Sequence, residues 1–260
     1  MNTICRERSE TTVQKEFLPL VDDAVTQIRK YFGKRFLAAY LHGSLNYGDA
    51  IPAISDMDCY IVIKDDLSDD DTVWIRHTEN RLQNQYPIVD GVHLSTHPAE
   101  EVKKDACTRF MLTYNSSLYD GIDIIKVFNA EEFGTIKPDK NAAKMRLKFA
   151  RQCFADALNG RQPACTGELP ENTYYTARKF ARYFVIIEGA YWLMSINQFH
   201  SFQKERVLMD LRENCPEFNH ILDLTEEVLS DPVEAGIPHE EFLINIRPFM
   251  SMIFESISNI

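Results

Sequence analysis

The spacing of apolar residues along the chain changes near residues 134–140. More than any other feature of the sequence, this change restricts the folds that the chain can adopt. Before it, helical and strand-like patterns alternate: a helix within 11–33, strands near 35–42, 57–63 and 88–95, and a helix over 72–84. After it, only helical patterns follow, over 141–158, 172–197, 203–214, 217–230 and 239–257. Alternating helices and strands form layers around a sheet, whereas consecutive helices pack as a bundle. We therefore predict an α+β (α/β-type) domain with a mixed sheet over residues 1–136 and an all-α helical bundle over residues 137–260.

Composition narrows the class of function. Among the 260 residues, 45% are hydrophobic and the formal net charge is −11. Because an acidic surface repels phosphate backbones, we predict no nucleic-acid partner and expect a cationic small molecule to be favoured. No apolar run reaches the roughly 18 residues of a membrane span, and the first residues lack the apolar run of a signal peptide, so we predict no membrane association. Six cysteines without CxxC spacing are expected to be reduced core thiols, which indicates the cytoplasm.

The segment from residue 41 to residue 62 carries the most specific pattern in the chain. An apolar run ends at the turn formed by Gly43 and Ser44, a second glycine follows at Gly48, and Asp56 and Asp58 open the next apolar run. Gly43 tolerates a positive φ and a close approach to a ligand. The amides after it, with the Ser44 hydroxyl, are typical of anion-binding turns. We therefore predict that Gly43 and Ser44 contact the outer phosphates of a nucleotide.

Asp56 and Asp58 have a spacing that suits metal binding. Side chains two residues apart on a strand point to the same face, and two carboxylates on one face repel each other unless a cation lies between them. Mg²⁺ prefers oxygen ligands and commonly keeps a phosphate as a partner. We predict that both aspartates bind one or two Mg²⁺ ions against a triphosphate, where such ions stabilise the attacking and leaving oxygens of an in-line displacement.

Asp90 supplies a third carboxylate within the predicted strand 88–95. A charge in the middle of an apolar strand is costly to bury without a partner, and metal shared with Asp56 and Asp58 would provide one. Asp90 either completes the metal site or accepts the proton of an attacking hydroxyl. His93 and His97 have the HxxxH spacing of metal ligands on a helix, but they fall at a strand end, so we predict no metal role for that pair.

Residues 41–44 (LHGS), Gly48 and residues 52–58 (PAISDMD) resemble the nucleotidyltransferase signature of the DNA polymerase β superfamily. Within that superfamily, the chain is most similar to antibiotic-modifying adenylyltransferases of the streptomycin/spectinomycin type. Residues 119–125 resemble the strand that closes their first domain. The resemblance implies Mg²⁺ as cofactor and ATP as donor. It also implies transfer of AMP to a hydroxyl of a small molecule, such as an aminoglycoside-type antibiotic, with release of pyrophosphate.

The resemblance also implies roles for residues of the helical bundle. Lys204 resembles a lysine that contacts the outer phosphates in this family. Glu188, within an apolar stretch, is the preferred match to an acidic residue at the acceptor, and Glu171 is the other candidate. The glycine turn that precedes the lysine in the family is replaced here by residues 197–200 (NQFH). Three aromatic residues are candidates to line a base pocket: Tyr174, Tyr175 and Trp192.

Two other functions are compatible with these residues. The same chemistry could adenylylate another protein, as small nucleotidyltransferases of toxin–antitoxin pairs do. The chain could also be a nucleotide-binding regulator without catalysis, although a binding module has no need of the mutually repelling pair Asp56 and Asp58. A polymerase acting on nucleic acid is disfavoured by the net charge of −11.

Overall fold

A computed structural model describes residues 12–130, 138–163, 176–230 and 236–258 of the chain. The described residues divide into two compact units, one up to residue 130 and the other from residue 138 onwards. The predicted boundary at residue 136 lies outside the described residues. The first unit contains a sheet and helices, and the described part of the second contains helices alone. The predicted fold class, an α+β domain followed by a helical bundle, is therefore confirmed.

The first unit is built around one four-stranded sheet with the strand order β3-β2-β1-β4. Its elements are α1 (Leu18–Phe32), β1 (Phe36–His42), α2 (Gly43–Tyr47), β2 (Met57–Ile63), α3 (Asp69–Gln85), β3 (Val92–Pro98), α4 (Ala99–Lys104), α5 (Ala106–Tyr114), β4 (Ser116–Gly121) and α6 (Ile124–Ala130). β1 runs antiparallel to β2 and β4, whereas β2 runs parallel to β3, so the sheet is mixed as predicted. A parallel pair needs a crossover connection, and α3 lies in the connection between β2 and β3.

The two faces of the sheet pack in different cores. Leu41 and Cys59 point to the face that packs with the apolar side of α1. Tyr40 and Tyr60 point to the opposite face, where they pack with Val102 of α4. Because side chains alternate across a strand, this sorting also decides to which face each polar residue of the strands points.

α3 begins within the acidic run of residues 65–71. Ser68 and Asp71 form a capping box, in which each side chain accepts a hydrogen bond from the backbone amide of the other. Asp71 is only 2% exposed and accepts a charge-assisted hydrogen bond from Arg35 at 2.8 Å. The Arg35 guanidinium holds the pKa of the Asp71 carboxyl well below its usual range. Asp71 therefore both caps the helix and pairs with Arg35, a half-buried residue, while the other acidic residues of the run are exposed.

The second unit is described as a series of helices. They are α7 (Lys140–Leu158), α8 (Ala177–Phe180), a π-helical segment (Ala181–Ile187), α9 (Glu188–Ser195), α10 (Lys204–Asn214), α11 (Asn219–Ser230) and α12 (His239–Ser258). The Asp139 carboxylate caps α7 by accepting hydrogen bonds from two backbone amides of the first turn. Phe154 of α7 contacts the rings of Phe184 and Phe254, with centroids 5.0 and 6.0 Å away. This unit therefore has an apolar core of its own.

Two general expectations can be compared with the described residues. Across these ranges, no helix combines the length and the apolar character needed to cross a membrane. The described cysteines are free: Cys59, Cys153 and Cys215 are buried, and Cys107 is half-buried. Burial raises the pKa of the Cys59 and Cys215 thiols to about 12, so both stay protonated at neutral pH.

Candidate functional site

The turn at Gly43 and Ser44 joins the end of β1 to the short helix α2. Gly43 has a φ of 67°, in the left-handed region that glycine adopts at little cost. A Cβ atom at this position would lie 2.9 Å from Oδ2 of Asp58, so only a glycine allows the carboxylate to approach the turn this closely. Ser44 is 6% exposed. The structure thus brings two of the predicted features, the turn and Asp58, into contact.

Backbone hydrogen bonds hold Asp56 at the beginning of β2. The amide of Asp90 donates to the carbonyl of Ser55 at 3.0 Å, and the amide of Met57 donates to the carbonyl of Gly91 at 2.9 Å. These bonds lie on either side of Asp56 and join it to the turn that precedes β3. The predicted metal ligand is therefore fixed by an extension of the parallel ladder rather than left on a mobile loop.

Asp58 belongs to a row of polar residues that crosses the whole sheet. It is paired with His42 of β1 and with His93 of β3, and His42 is paired with Ser116 of β4. Residues paired in this way point to the same face of the sheet. Nδ1 of His42 lies 2.9 Å from the backbone oxygen of Asn115, so that ring is engaged with the main chain. The row places Asp58 and His93 side by side.

Asp56, Asp58 and His93 form a group that could hold a divalent cation. One ligand atom from each residue lies within 4.8 Å of the others, and all three residues are half-buried. The Asp56 carboxylate forms no hydrogen bond or ion pair with the residues that the structure describes. Ligands about 2.0–2.2 Å from a cation are about 3 Å apart when adjacent and about 4 Å apart when opposite, so small side-chain rotations would complete the site. The residues present therefore fit a cation of the predicted charge.

Asp90 does not belong to this group among the described residues. The prediction that it lies in the middle of a strand is wrong, because β3 begins at Val92 and Asp90 is exposed in the turn before it. The ladder with β2 starts at the pair Met57 and Val92, and the apolar residues just before it form turns instead. Gln83 of α3 stabilises the turn by donating to the Asp90 carbonyl at 2.8 Å. The role of Asp90 as metal ligand or proton acceptor stays a prediction.

His93 is the member of the group that sequence reasoning missed, since it was considered only together with His97. The His97 ring stacks on Tyr60 with centroids 4.5 Å apart and lies 3.5 Å from the Glu101 carboxylate, away from the two aspartates. A period of two in β3 is the signal that could have found His93. The residues that alternate with it are buried: Val92, Leu94 and Thr96. That alternation places His93 on the same face as Asp58.

Comparison with known proteins gives a match at the level of the fold. No family model matches the sequence, and no curated protein does. Among solved structures, the chain is similar to the spectinomycin adenyltransferase AAD(9) from Enterococcus faecialis, determined with ATP and spectinomycin. The TM-score is 0.51, and the match covers 92% of this chain and 98% of that chain at 12% sequence identity. The chain has the fold of an adenyltransferase.

The helical unit contains Glu188, which is predicted to act at the acceptor. Glu188 is 1% exposed and begins α9 directly after the π-helical segment. Its Oε1 accepts hydrogen bonds from Nε and Nη2 of Arg146 at 3.0 and 2.7 Å. Burial raises the pKa of Glu188, while the charge of Arg146 opposes this shift. Glu188 therefore takes part in a buried ion pair within its own unit, and its contact with an acceptor stays a prediction.

The other predicted residues of the helical unit are only partly described. Lys204 begins α10, where its side chain is 20% exposed and lies 3.6 Å from the Glu205 carboxylate. In the segment before it, Asn197 has a φ of 59°, in the left-handed region that asparagine adopts at the ends of some helices. Trp192 is buried. The remaining candidates lie outside the described residues: Glu171, Tyr174 and Tyr175.

Proposed function

We propose that this protein transfers AMP from ATP to a hydroxyl of a small cationic molecule and releases pyrophosphate. The observation that carries the proposal is the meeting of Asp56, Asp58 and His93 beside the Gly43 turn, in a fold like that of an adenyltransferase. The structural neighbour was determined with ATP and spectinomycin, which supports a nucleotide and a small-molecule acceptor for this chain. The net charge of −11 favours a cationic acceptor, such as an aminoglycoside-type antibiotic.

Asp56 and Asp58 are proposed to hold Mg²⁺. A bound divalent cation supplies positive charge against the triphosphate and the leaving pyrophosphate. The Gly43 backbone lies against Asp58, so phosphate oxygens bound by the turn amides and the Ser44 hydroxyl would be next to the metal ligands. The work of these side chains is to position the nucleotide, and positioning supplies most of the catalysis in phosphoryl transfer.

Asp90 is proposed to accept the proton of the attacking hydroxyl. Its carboxylate is on an exposed residue, and its backbone amide is bound to Ser55, the neighbour of Asp56. The acceptor oxygen forms a bond to the α-phosphorus, and the bond from the α-phosphorus to the bridging oxygen of pyrophosphate breaks. The proton passes from the hydroxyl to the Asp90 carboxylate and then to water.

Two residues of the helical unit complete the proposal. Lys204 is proposed to contact the outer phosphates, so Lys204→Ala should raise the KM for ATP. Glu188 is proposed to act at the acceptor. Its Oε1 is occupied by Arg146, whereas Oε2 is buried without a hydrogen-bond partner among the described residues, so Oε2 is the atom left for an ammonium or hydroxyl donor. Glu188→Gln should therefore raise the KM for the acceptor and leave the KM for ATP unchanged.

The proposal is tested by measuring pyrophosphate release from Mg·ATP with aminoglycosides, spectinomycin and lincosamides. Asp58→Asn removes a proposed ligand, and Asp70→Asn is the matched control, because Asp70 is an exposed carboxylate in the first turn of α3. We expect release with one acceptor, a loss of about a hundredfold or more in Asp58→Asn, and parent activity in Asp70→Asn. Binding of Mg·ATP without release for any acceptor would contradict small-molecule transfer, and would favour a protein acceptor or a regulator.

A further inference from the structure

The third member of the metal group differs chemically from the other two. Asp56 and Asp58 offer oxygen atoms, whereas His93 offers a ring nitrogen. Mg²⁺ takes oxygen ligands, and imidazole suits ions of the first transition series better. We infer that His93 is a ligand of the divalent cation and makes the site prefer ions such as Mn²⁺ and Co²⁺ to Mg²⁺. This rests on the proposed function, since it concerns the cation that the two aspartates would hold.

The strand pairing fixes the position of His93 relative to Asp58. β2 and β3 are parallel neighbours, and their register pairs Asp58 directly with His93. Paired residues point to one face of the sheet, with their Cβ atoms about 5 Å apart. The imidazole and the carboxylate therefore lie at the same place on the sheet because of backbone pairing, before any side-chain interaction is considered. A rigid pair of this kind is what a metal site needs.

Gly91 leaves room for the imidazole next to Asp56. A Cβ atom at residue 91 would lie 3.3 Å from Nε2 of His93 and 3.8 Å from Cβ of Asp56. Nε2 of His93 and Cβ of Asp56 therefore both lie close to Gly91. The Met57 amide donates a hydrogen bond to the Gly91 carbonyl at 2.9 Å, which fixes the backbone of Gly91 next to β2. A side chain at residue 91 would press on Nε2 of His93.

Glu79 of α3 supports His93 from outside the group. Its Oε1 accepts a hydrogen bond from the Leu94 amide at 2.7 Å, which fixes the backbone next to His93. Burial raises the pKa of Glu79, while the Leu94 amide and the charge of the His93 ring oppose this shift. Histidine ligands of metals commonly have a carboxylate as an outer partner. The surroundings of His93 are thus those of a ligand that is held in position.

A proton acceptor in the same place would differ from a ligand in one measurable respect. A nitrogen bound to Mn²⁺ is coupled to the unpaired electrons of the ion, whereas a nearby base is not. Electron spin-echo envelope modulation detects this coupling, and replacing ¹⁴N with ¹⁵N in histidine changes it in a known way. The measurement needs bound metal but no turnover, so it is independent of whether the acceptor has been identified.

The experiment uses the full chain with Mn²⁺, labelled or unlabelled at histidine. We expect a histidine nitrogen coupling in the parent protein and the loss of this coupling in His93→Gln. The Mn²⁺ affinity of the variant should be lower by about tenfold or more. Calorimetry should show a smaller loss of affinity for Mg²⁺, because the glutamine side chain still offers an amide oxygen as a ligand. His97→Gln is the matched control, since His97 lies on the same strand and face but outside the group, and it should keep both the coupling and the affinity.

The possible outcomes separate this inference from the proposed function. Mn²⁺ that binds without nitrogen coupling, and whose binding is lost in Asp58→Asn, would overturn the role of His93 and leave the proposed function standing. Coupling that persists in His93→Gln would also overturn it. Failure of the parent to bind Mn²⁺ or Mg²⁺, even with ATP, would contradict the proposed function and this inference together.

A second variant keeps the test decisive if His93→Gln does not fold. His93→Asp replaces the nitrogen with a third carboxylate. We expect the ratio of Mn²⁺ affinity to Mg²⁺ affinity to fall about tenfold or more in this variant. An unchanged ratio in a folded His93→Asp protein would overturn the inference.

Discussion

The contact between Gly43 and Asp58 links the backbone of the turn to the position of a proposed metal ligand. In Gly43→Ala, the new methyl would lie 2.9 Å from Oδ2 of Asp58, on a backbone with a φ of 67°. A left-handed conformation costs a residue other than glycine about 1–2 kcal/mol. The steric part costs little stability, because a carboxylate can rotate away. That rotation moves the oxygen that the metal needs, so we expect a loss of about tenfold or more in Mn²⁺ affinity.

Gly160→Ala is the matched control for this change. Gly160 also has a φ of 67°, but nothing lies within 4 Å of a Cβ atom built there. Both variants should therefore lose stability by about 1–2 kcal/mol in chemical denaturation, since both force alanine into the same backbone region. Only Gly43→Ala should lose Mn²⁺ affinity, measured by calorimetry on the folded proteins. The comparison separates backbone strain from displacement of Asp58.

Equal Mn²⁺ affinity in the two variants would refute the reasoning. It would mean that the Asp58 carboxylate can leave the turn without any consequence for the cation, and hence that the close approach is incidental. A loss of affinity in Gly160→Ala would refute it in another way, because general destabilisation would then explain the effect. Only a loss confined to Gly43→Ala supports the link.

Three further predictions concern two buried carboxylates, Asp71 and Glu188, and the half-buried carboxylate of Glu79. Asp71→Asn should lower the free energy of unfolding by about 1–3 kcal/mol at neutral pH. Because Arg35 lowers the pKa of Asp71, the ionised carboxylate stabilises the fold above about pH 4, and this contribution is lost as the pH falls through the lowered pKa. In urea denaturation, the unfolding free energies of the parent and the variant should therefore converge in acid. Arg146→Met leaves Glu188 buried without its partner and should cost about 3–5 kcal/mol at pH 7. Burial raises the pKa of Glu188, so this cost should shrink as the pH falls and the carboxyl is protonated; a cost independent of pH would contradict the argument. Glu79→Ala removes the carboxylate that accepts a hydrogen bond from the Leu94 amide of β3. It should lower the free energy of unfolding by about 1–3 kcal/mol and the Mn²⁺ affinity by about tenfold or more. If neither quantity changed, Glu79 would not support the site.

Local patterns in the sequence were enough to predict the main elements of the fold. β2 occurs over the predicted residues, Met57–Ile63, because a continuous apolar run bounded by polar turns is a strong strand signal. The helices of the second unit lie close to their predicted ranges, since each has an apolar stripe with helical spacing. The turn at Gly43 and its relation to Asp58 were also implied by order along the chain. The short helices α4 and α5 were missed, because elements of this length carry too little periodicity.

The position of β3 shows where local patterns fail. The apolar residues from 88 onwards were read as one strand with Asp90 at its centre. In the structure, the first of them form turns, and the strand begins at Val92. Apolar residues stabilise a buried turn as well as a strand, so composition alone does not distinguish the two. A shift of this kind changes which polar side chains belong to the strand and which to the turn before it.

The sequence by itself determined the two-part architecture, the glycine turn and the pair Asp56 and Asp58, because each of these depends on residues close together along the chain. Only the tertiary structure placed His93 beside the two aspartates. The reason is physical: the register of a parallel pair is set by hydrogen bonds between distant segments and by the packing of both sheet faces, neither of which a single segment encodes. That register pairs Asp58 with His93 and so brings a nitrogen to a group of carboxylates.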